Sequence, residues 1–390
     1  MSHVAVIDIG KTNAKLALVD LATLDEIAVV TRPNKVLPGP HGVDAITVTN
    51  HGAAAVLRDA EGGLAAPMLD YEYAGPDDLA ADYDALRPPF AETGSPRLGM
   101  GLNLGAQLHW MFATDPELKA RTKTIVTYPQ YWGFRLTGVA ATDVSSLGCH
   151  TDLWNPHEGK FSSLIGRLSL NGRLAPARPS ADMLGPILPE IAARTGLAPD
   201  TPVHVGIHDS NASLLPHILG RKAPFSVVST GTWVIAMAVG GVSPTLDPRQ
   251  DTLINVNALG QPVPSARFMG GREYEIATAG QPVEPSPADL DAVLAERLFL
   301  LPALVAESGP YQGRKARWRG GEPPLGYGRR AAALALYLAL VTDHCLDLIG
   351  HRGPVIVEGP FARNRIYLEM LSAATSRRPR VCIRTLCLSQ

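Results

Sequence analysis

The stretch VAVIDIGKTNAKLALVD, residues 4–20, places a short polar segment between two apolar runs. The second run, AKLALVD, alternates in polarity, which is typical of a β-strand rather than a helix. The polar segment contains Gly10, and a turn without a bulky side chain lets backbone N–H groups converge on an anion such as phosphate. The stretch therefore predicts a β-hairpin with a phosphate-binding tip, and an ordinary hairpin with a glycine turn stays an open alternative.

The residues after Gly10 exclude two common phosphate-binding motifs. A Walker loop requires GxxxxGK[ST], and a dinucleotide fingerprint requires GxGxxG at the start of a helix. Neither spacing is present, because the chain continues as Lys11-Thr12-Asn13 and then resumes its apolar alternation. A strand–turn–strand unit is the structure that fits.

A second stretch, FSVVSTGTWVIAMAVGG at residues 225–241, repeats this pattern. Ser229 aligns with Asp8 and Gly231 aligns with Gly10, each between two apolar runs. Two such hairpins in different halves of the chain predict two related lobes that grip one polyphosphate from both sides.

Composition narrows the function classes. The chain has 390 residues and a net charge of -2, with 46% hydrophobic and 18% charged residues. This length suits two domains of about 100–200 residues each, and the charge balance gives no basic surface for nucleic acid.

The four cysteines have no CxxC spacing, and we recognise no signal peptide, so we expect reduced cytoplasmic thiols without a zinc site. The apolar run AAALALYLALV is too short to cross a membrane and predicts a buried helix.

The remaining sequence alternates strand-like and helical stretches, which predicts an α/β fold. Residues 45–59 resemble two strands around a polar turn, and residues 104–121 resemble one amphipathic helix. Residues 201–219 resemble a buried strand that leads into a helix. A proline-rich segment at residues 174–190 precedes the change of lobe, so we divide the chain into domains 1–215 and 216–390.

Five motifs in this order resemble the FGGY family of carbohydrate kinases. They are DIGKTNAKLALVD, YWGFRLTGVAATDVSSLGCHTDLWNP, GIHDSNAS, STGTW and VEGPFARNRIYLEML. The HGAAAVLRD and GCHTDLW stretches are most similar to the deoxy-ketose kinases of this family, which act on fuculose or rhamnulose. The resemblance implies two actin-like, hexokinase-like (ribonuclease H-like) lobes around a central cleft, and an ATP- and Mg²⁺-dependent kinase that phosphorylates a primary hydroxyl of a ketose or polyol.

The resemblance also implies the groups that carry phosphoryl transfer, which needs a general base, donors to the phosphates and a magnesium ion. Asp209 matches the family's catalytic aspartate, although an aspartate after a strand and before a helix is commonly a helix N-cap. Asp8, near the hairpin tip, is the candidate for the metal, and capping of its own turn is the alternative. We expect His208 to point away from Asp209, as alternation along a strand requires.

The nucleotide contacts are expected from both hairpins and from the VEGPFARN turn. A solvated hairpin tip would look similar in sequence, and Pro360 stands where the family commonly has a second glycine, which fixes φ and removes an N–H group. The candidate nucleotide-binding residues are Gly10, Lys11, Thr12, Asn13, Lys15, Thr230, Gly231, Thr232, Gly359 and Asn364.

The candidate sugar contacts lie in two stretches. His51 and Gly52 follow the TN of TNHG, where the family has a substrate-contacting loop. Gln107 and Trp110 are three residues apart and so share one face of a helix. For each of these side chains a purely structural role is the alternative.

Two rival interpretations stay open. The chain could be a catalytically weakened member of the fold that binds sugar or nucleotide, or a non-enzymatic actin-like scaffold or regulator. Asp209 argues against the scaffold.

The last residues, 372–390, lack the acidic, Gly-Ala-rich helix that closes the second lobe in the family. We therefore expect an exposed apolar face near the adenosine site, weaker ATP binding, and a dimer or higher oligomer that covers this face. Filling of the gap within the monomer is the alternative.

Overall fold

A computed structural model describes residues 3–9, 14–20, 26–32, 42–375 and 380–381. The chain forms two compact units. Unit 1 comprises Met1–Pro216 and Ile254–Pro262, and unit 2 comprises His217–Leu253 and Val263–Leu388. Both units combine strands with helices, so the α/β prediction is confirmed.

The first part of the chain, up to α9, supplies the elements of unit 1. Its strands are β1 (His3–Ile9), β2 (Ala14–Asp20), β3 (Glu26–Arg32), β4 (Ala45–Asn50), β5 (Ala55–Arg58), β6 (Thr124–Thr127), β7 (Thr142–Asp143), β8 (Trp154–Asn155), β9 (Lys160–Phe161), β10 (Ala177–Arg178), β11 (Met183–Pro186), β12 (Pro202–His204) and β13 (Ile207–His208). Its helices are α1 (Ala80–Leu86), α2 (Phe90–Thr93), α3 (Leu104–Thr114), α4 (Leu118–Arg121), α5 (Tyr128–Thr137), α6 (Val144–Leu147), α7 (Leu164–Arg167), α8 (Pro189–Thr195) and α9 (Asp209–Gly220).

The main sheet of unit 1 has the strand order β11-β12-β4-β1-β2-β3, and β13 also pairs with β4. β1 and β2 are antiparallel with Asp8 opposite Lys15, so the predicted opening hairpin is confirmed. β4 runs parallel to β1 and to β13. Three parallel strands therefore end at one edge of this sheet, which is where ligands bind in open α/β sheets.

The two strands predicted within residues 45–59 are present as β4 and β5. They do not pair with each other, because β4 joins the main sheet while β5 pairs with β6. One predicted element of unit 1 differs from the structure. The predicted helix over residues 104–121 is two helices, α3 and α4. The break falls at Asp115, whose Oδ1 accepts hydrogen bonds from the amides of Glu117 and Leu118, because aspartate side chains compete for backbone donors.

The rest of the chain supplies the elements of unit 2, except that residues 254–256 of β16 and the first residue of β17, Pro262, belong to unit 1. Its strands are β14 (Phe225–Thr230), β15 (Val234–Val239), β16 (Thr252–Val256), β17 (Pro262–Phe268), β18 (Phe299–Leu301), β19 (Arg317–Arg319), β20 (Val355–Glu358) and β21 (Arg380–Val381). Its helices are α10 (Gly270–Thr278), α11 (Pro287–Ala295), α12 (Gly328–Leu348) and α13 (Arg365–Ala374).

The sheet of unit 2 has the strand order β16-β17-β15-β14-β20-β21. β14 and β15 form the predicted second hairpin, and β20 runs parallel to β14. The strand expected near the end of the chain is β21, which pairs with β20 in parallel, and the residues that follow it lie outside the described part.

Helix α12 fills the core of unit 2. The prediction of a buried helix is confirmed, and the helix extends beyond the apolar run AAALALYLALV at both ends. In the part of the chain that the structure describes, α12 alone is long and apolar enough to cross a membrane, but 72% of its most apolar window is buried. Burial of this kind is typical of the core helix of a soluble protein.

Candidate active site

The candidate residues of unit 1 come together at the carboxyl edge of three parallel strands. Asp8 lies opposite Thr49, near the end of β1. His208 lies opposite Asn50, at the ends of β13 and β4. The loop after β4 and the helix after β13 therefore begin side by side, although more than 150 residues of sequence separate them.

Asp209 is the first residue of α9, directly after β13. Its side chain is 19% exposed, and its Oδ1 accepts a 2.6 Å hydrogen bond from the amide of Ser210. An N-cap side chain instead accepts from an amide two or three residues further along. The contacts of Asp209 thus differ from those of an N-cap.

His208 does not point away from Asp209, so this prediction was wrong. Its Nε2 lies 3.2 Å from Asp209 Oδ1, and its side chain is buried. The physical reason is that β13 is two residues long and α9 begins at Asp209, so the alternation of a continuing strand does not apply.

The loop after β4 packs against His208. The His51 ring makes edge and tilted contacts with Tyr71 and Tyr128, at centroid distances of 5.3 and 5.1 Å. A Cβ on Gly52 would lie 2.5 Å from Nε2 of His208. The structure therefore brings Gly52 to the residue beside Asp209, whereas His51 contacts aromatic rings.

The two helix candidates for sugar contacts have observed structural partners. Gln107 is buried, and its Nε2 donates hydrogen bonds to the carbonyl oxygens of Ala53, at 2.6 Å, and Gly101. Gln107 thus supports the loop that carries His51. Trp110 is half-buried and makes an edge contact with Tyr73 at 5.4 Å.

Several buried polar atoms around Asp209 have no hydrogen-bond partner in the described residues, and sequence reasoning missed them. They are Thr49 Oγ1, Asn50 Nδ2, His208 Nδ1 and Asn211 Oδ1. Each unsatisfied group costs about 1–3 kcal/mol, so a bound hydroxyl-rich molecule or water would stabilise this edge. The sequence signal that could have indicated these groups was the polar pair Thr49-Asn50 at the end of β4.

The tip of the first hairpin, Gly10, Lys11, Thr12 and Asn13, lies outside the described residues, and so does the side chain of Asp8. Lys15 lies on β2, and its Nζ forms a 2.7 Å ion pair with Glu26 on β3. Among the residues that the structure describes, no group of three or more His, Cys, Asp and Glu side chains could surround a metal ion.

In unit 2, the second hairpin and the EGP turn are neighbours. Thr230 ends β14, donates a hydrogen bond through Oγ1 to the carbonyl of Glu358, and accepts one from the amide of Phe361 at 3.1 Å. Gly359 has φ +79°, and a Cβ there would overlap the carbonyl oxygen of Thr230. Close backbone packing therefore requires glycine at residue 359.

The other nucleotide candidates of unit 2 also have structural partners. The exposed Thr232 accepts hydrogen bonds through its carbonyl from the amides of Gly271 and Arg272, at 3.1 and 3.3 Å. Asn364 caps α13, because its Oδ1 accepts from the amide of Tyr367 at 3.0 Å. These contacts fix the turn around Gly231 and the start of α13.

Two buried carboxylates support the site of unit 1. Asp143 accepts hydrogen bonds from Ser145, from the amide of Ser146 at 2.8 Å and from Ser180 at 2.6 Å. Burial raises the pKa of Asp143, partly offset by these hydrogen bonds. Asp152 forms an ion pair at 2.9 Å with Arg87.

Both halves of the chain match models of one protein family. Residues 93–216 match the N-terminal domain of the FGGY family of carbohydrate kinases, and residues 222–385 match the model described as "Carbohydrate kinase FGGY, C-terminal domain".

Curated relatives are named as sugar kinases. The chain is 27% identical over 202 residues to the L-fuculokinase of Salmonella typhi, covering 51% of this chain and 42% of the relative. It is 29% identical over 147 residues to the probable L-xylulose kinase of Pasteurella multocida, covering 37% of this chain and 29% of the relative. The matches thus span less than half the length of these relatives.

Solved structures match over nearly the whole chain. A carbohydrate kinase from Novosphingobium aromaticivorans is 39% identical with a TM-score of 0.87, covering 98% of this chain and 89% of that one. The xylulose kinase from Rhodospirillum rubrum, 21% identical with a TM-score of 0.78, covers 98% of this chain and 88% of that one, and shares the fold. The ordered motifs, the family models and the first of these structures agree, and the chain belongs to the FGGY family of carbohydrate kinases.

Proposed function

We propose that the protein transfers the γ-phosphoryl group of ATP to a primary hydroxyl of a ketose or related polyol, with Asp209 as the general base. The observation that carries this proposal is the position of Asp209. Its partly exposed carboxylate lies at the carboxyl edge of the sheet, beside buried polar atoms without partners.

In the proposed reaction, Asp209 accepts the proton of the attacking hydroxyl. The contacts of the carboxylate involve Oδ1, and no described residue donates a hydrogen bond to Oδ2. Oδ2 is therefore the atom we assign to the substrate hydroxyl. The loop residues His51 and Gly52, with Gln107 and Trp110, are the proposed sugar contacts.

The proposed nucleotide contacts follow the two hairpins. Gly231 and Thr232 at the tip of the second hairpin, with Thr230, Gly359 and Asn364, would bind the nucleotide from unit 2. Lys15 and the tip residues 10–13 would donate to the β- and γ-phosphates. Phosphoryl transfer depends mainly on such positioning and charge neutralisation.

We assign Mg²⁺ to Asp8. Magnesium in kinases usually takes one or two carboxylates, water and phosphate oxygens, and a single strand-end carboxylate near the hairpin tip fits this donor set. When bound, the ion would neutralise charge on the phosphates.

The substrate class rests on the family and on the names of the relatives. The relatives are named as L-xylulose kinase and L-fuculokinase, and both names denote kinases of ketoses. The HGAAAVLRD stretch favours a deoxy-ketose.

We also expect a cytoplasmic protein, and a homodimer stays a prediction of the sequence.

A panel of sugars tests the proposed function. The purified chain, with ATP and Mg²⁺, is assayed for ADP formation with L-fuculose, L-rhamnulose, L-xylulose, D-xylulose, gluconate and glycerol. We expect one ketose to raise the rate of ADP formation well above the rate without sugar. Sugar binding without ADP formation would favour the weakened member of the fold, and neither binding nor turnover would favour the scaffold.

Gly231→Val should weaken ATP binding about 10-fold or more, because a branched side chain at the hairpin tip separates backbone from phosphate. Isothermal titration calorimetry with ATP measures the affinity. The matched control is Gly220→Val at the end of α9, where an added Cβ has nothing within 4 Å. Equal ATP affinity of both variants, with unchanged circular dichroism, would show that the second hairpin is only structural.

A further inference from the structure

We propose that His208 is a positioning residue, whose imidazole holds one oxygen of Asp209 so that the other faces the substrate hydroxyl. The proposal rests on the proposed role of Asp209 as general base. Its geometric basis is the 3.2 Å separation between His208 Nε2 and Asp209 Oδ1. The amide of Ser210 donates a hydrogen bond to the same oxygen at 2.6 Å, so one hydrogen bond and one close imidazole nitrogen hold this oxygen.

The backbone of His208 is held from two sides. It pairs with Asn50 in the parallel contact of β13 with β4. Its amide donates a 3.1 Å hydrogen bond to Ser145 Oγ, and Ser145 in turn donates to the buried carboxylate of Asp143. These contacts place the residue before Asp209 without involving the substrate.

The His208 ring is confined by packing. Its side chain is only 5% exposed, and the loop after β4 passes so close that a Cβ on Gly52 would lie 2.5 Å from Nε2 and 2.8 Å from Cδ2. A side chain held in this way loses little further conformational entropy when it binds the carboxylate. Because His208 Nε2 lies next to Asp209 Oδ1, a displacement of the ring would also displace the Asp209 carboxylate.

The surroundings of the ring favour its charged form. Burial alone lowers the pKa of His208, but the thiolate of Cys149 and the carboxylates of Asp209 and Asp143 offset burial and raise it to about 9. Burial raises the pKa of the Cys149 thiol, but His150 and His208 offset burial and lower it to about 5. A protonated His208, with Nε2 3.2 Å from Asp209 Oδ1, attracts the carboxylate electrostatically.

Two amide substitutions test the positioning role. In His208→Gln the side-chain nitrogen is as many bonds from Cα as Nε2 of histidine, whereas in His208→Asn it is one bond nearer. We expect His208→Asn to lower kcat about 10- to 100-fold, as for the loss of an opposite charge beside the carboxylate, with little change in the KM for sugar. His208→Gln keeps a nitrogen at this distance but carries no charge, so it should recover only part of this loss.

The outcomes separate this inference from the proposed function. Activity retained in Asp209→Asn would contradict the role of Asp209. If Asp209→Asn is inactive but His208→Asn and His208→Gln both keep the wild-type kcat, or if His208→Asn raises only KM, the positioning role is wrong. Circular dichroism and thermal melting check that each variant is folded.

The pH dependence of kcat supplies a second readout, which does not require a change at residue 208. In the wild type kcat should fall as the pH rises through about 9, because His208 loses its proton. Cys149→Ala removes the thiolate that favours this proton, so the fall should move to lower pH by about one unit. Cys345→Ala, at a buried free cysteine in unit 2, is the control. Superimposable profiles for the two variants would overturn the proposal.

Discussion

Asp209→Asn is expected to lower kcat about 10²–10⁴-fold, the usual range for loss of a general base. Asparagine keeps the shape of the side chain and can still accept from the amide of Ser210 through its oxygen. The proton of the sugar hydroxyl then has no acceptor of sufficient basicity. Sugar affinity, measured by calorimetry, should change little, because the substitution is nearly isosteric.

The control for this prediction is Asp200→Asn, at an exposed aspartate in the turn before β12. Its kcat should equal that of the wild type. Full kinase activity in Asp209→Asn would refute the assignment of the base.

Asp152→Ala is expected to lower the free energy of unfolding by about 3–5 kcal/mol, because it leaves the mostly buried charge of Arg87 without its partner. The Asp152 side chain is fully buried and accepts from Arg87 at 2.9 and 3.0 Å, Tyr83 at 2.8 Å, Asn103 at 2.9 Å and Thr93 at 3.0 Å. The network joins α1, α2 and the start of α3. Urea denaturation measures the loss.

The matched control removes another carboxylate that pairs with arginine in unit 1. Asp182 pairs with Arg178 at 3.3 Å, and both side chains are more than 30% exposed. Exposed pairs contribute about 0–1 kcal/mol, so Asp182→Ala should have a small effect. Equal losses in the two variants would show that the buried network does not stabilise unit 1 as described.

The two hairpins could be predicted because their signal is local. Apolar alternation on both sides of Gly10 and Gly231 fixes two strands and the turn between them. The candidate base came from the GIHDSNAS motif of the family, because an aspartate that follows a strand and precedes a helix is by itself commonly an N-cap. Ordered motifs then gave the family.

The partners of the strands could not be predicted from local pattern. β4 and β5 are separated by only four residues, yet they belong to different sheets. Pairing depends on contacts between distant segments, such as β4 with β1 and β13. Periodicity carries no information about such contacts.

The prediction of side-chain direction was wrong where a strand changes into a helix. The position of His208 beside Asp209 follows from the strand-to-helix transition between them, which alternation alone does not describe. The unpaired polar atoms of Thr49 and Asn211 depend on what packs around them. Such features require tertiary structure.

The measurement that tests the central claim most directly is the ³¹P NMR spectrum of the product formed from ATP, Mg²⁺ and the ketose with the highest turnover. Transfer to a primary hydroxyl predicts ADP together with a phosphomonoester signal split by the two protons of its methylene carbon. An unsplit signal of inorganic phosphate, with the sugar unchanged, would contradict the claim, because it would show that water is the acceptor.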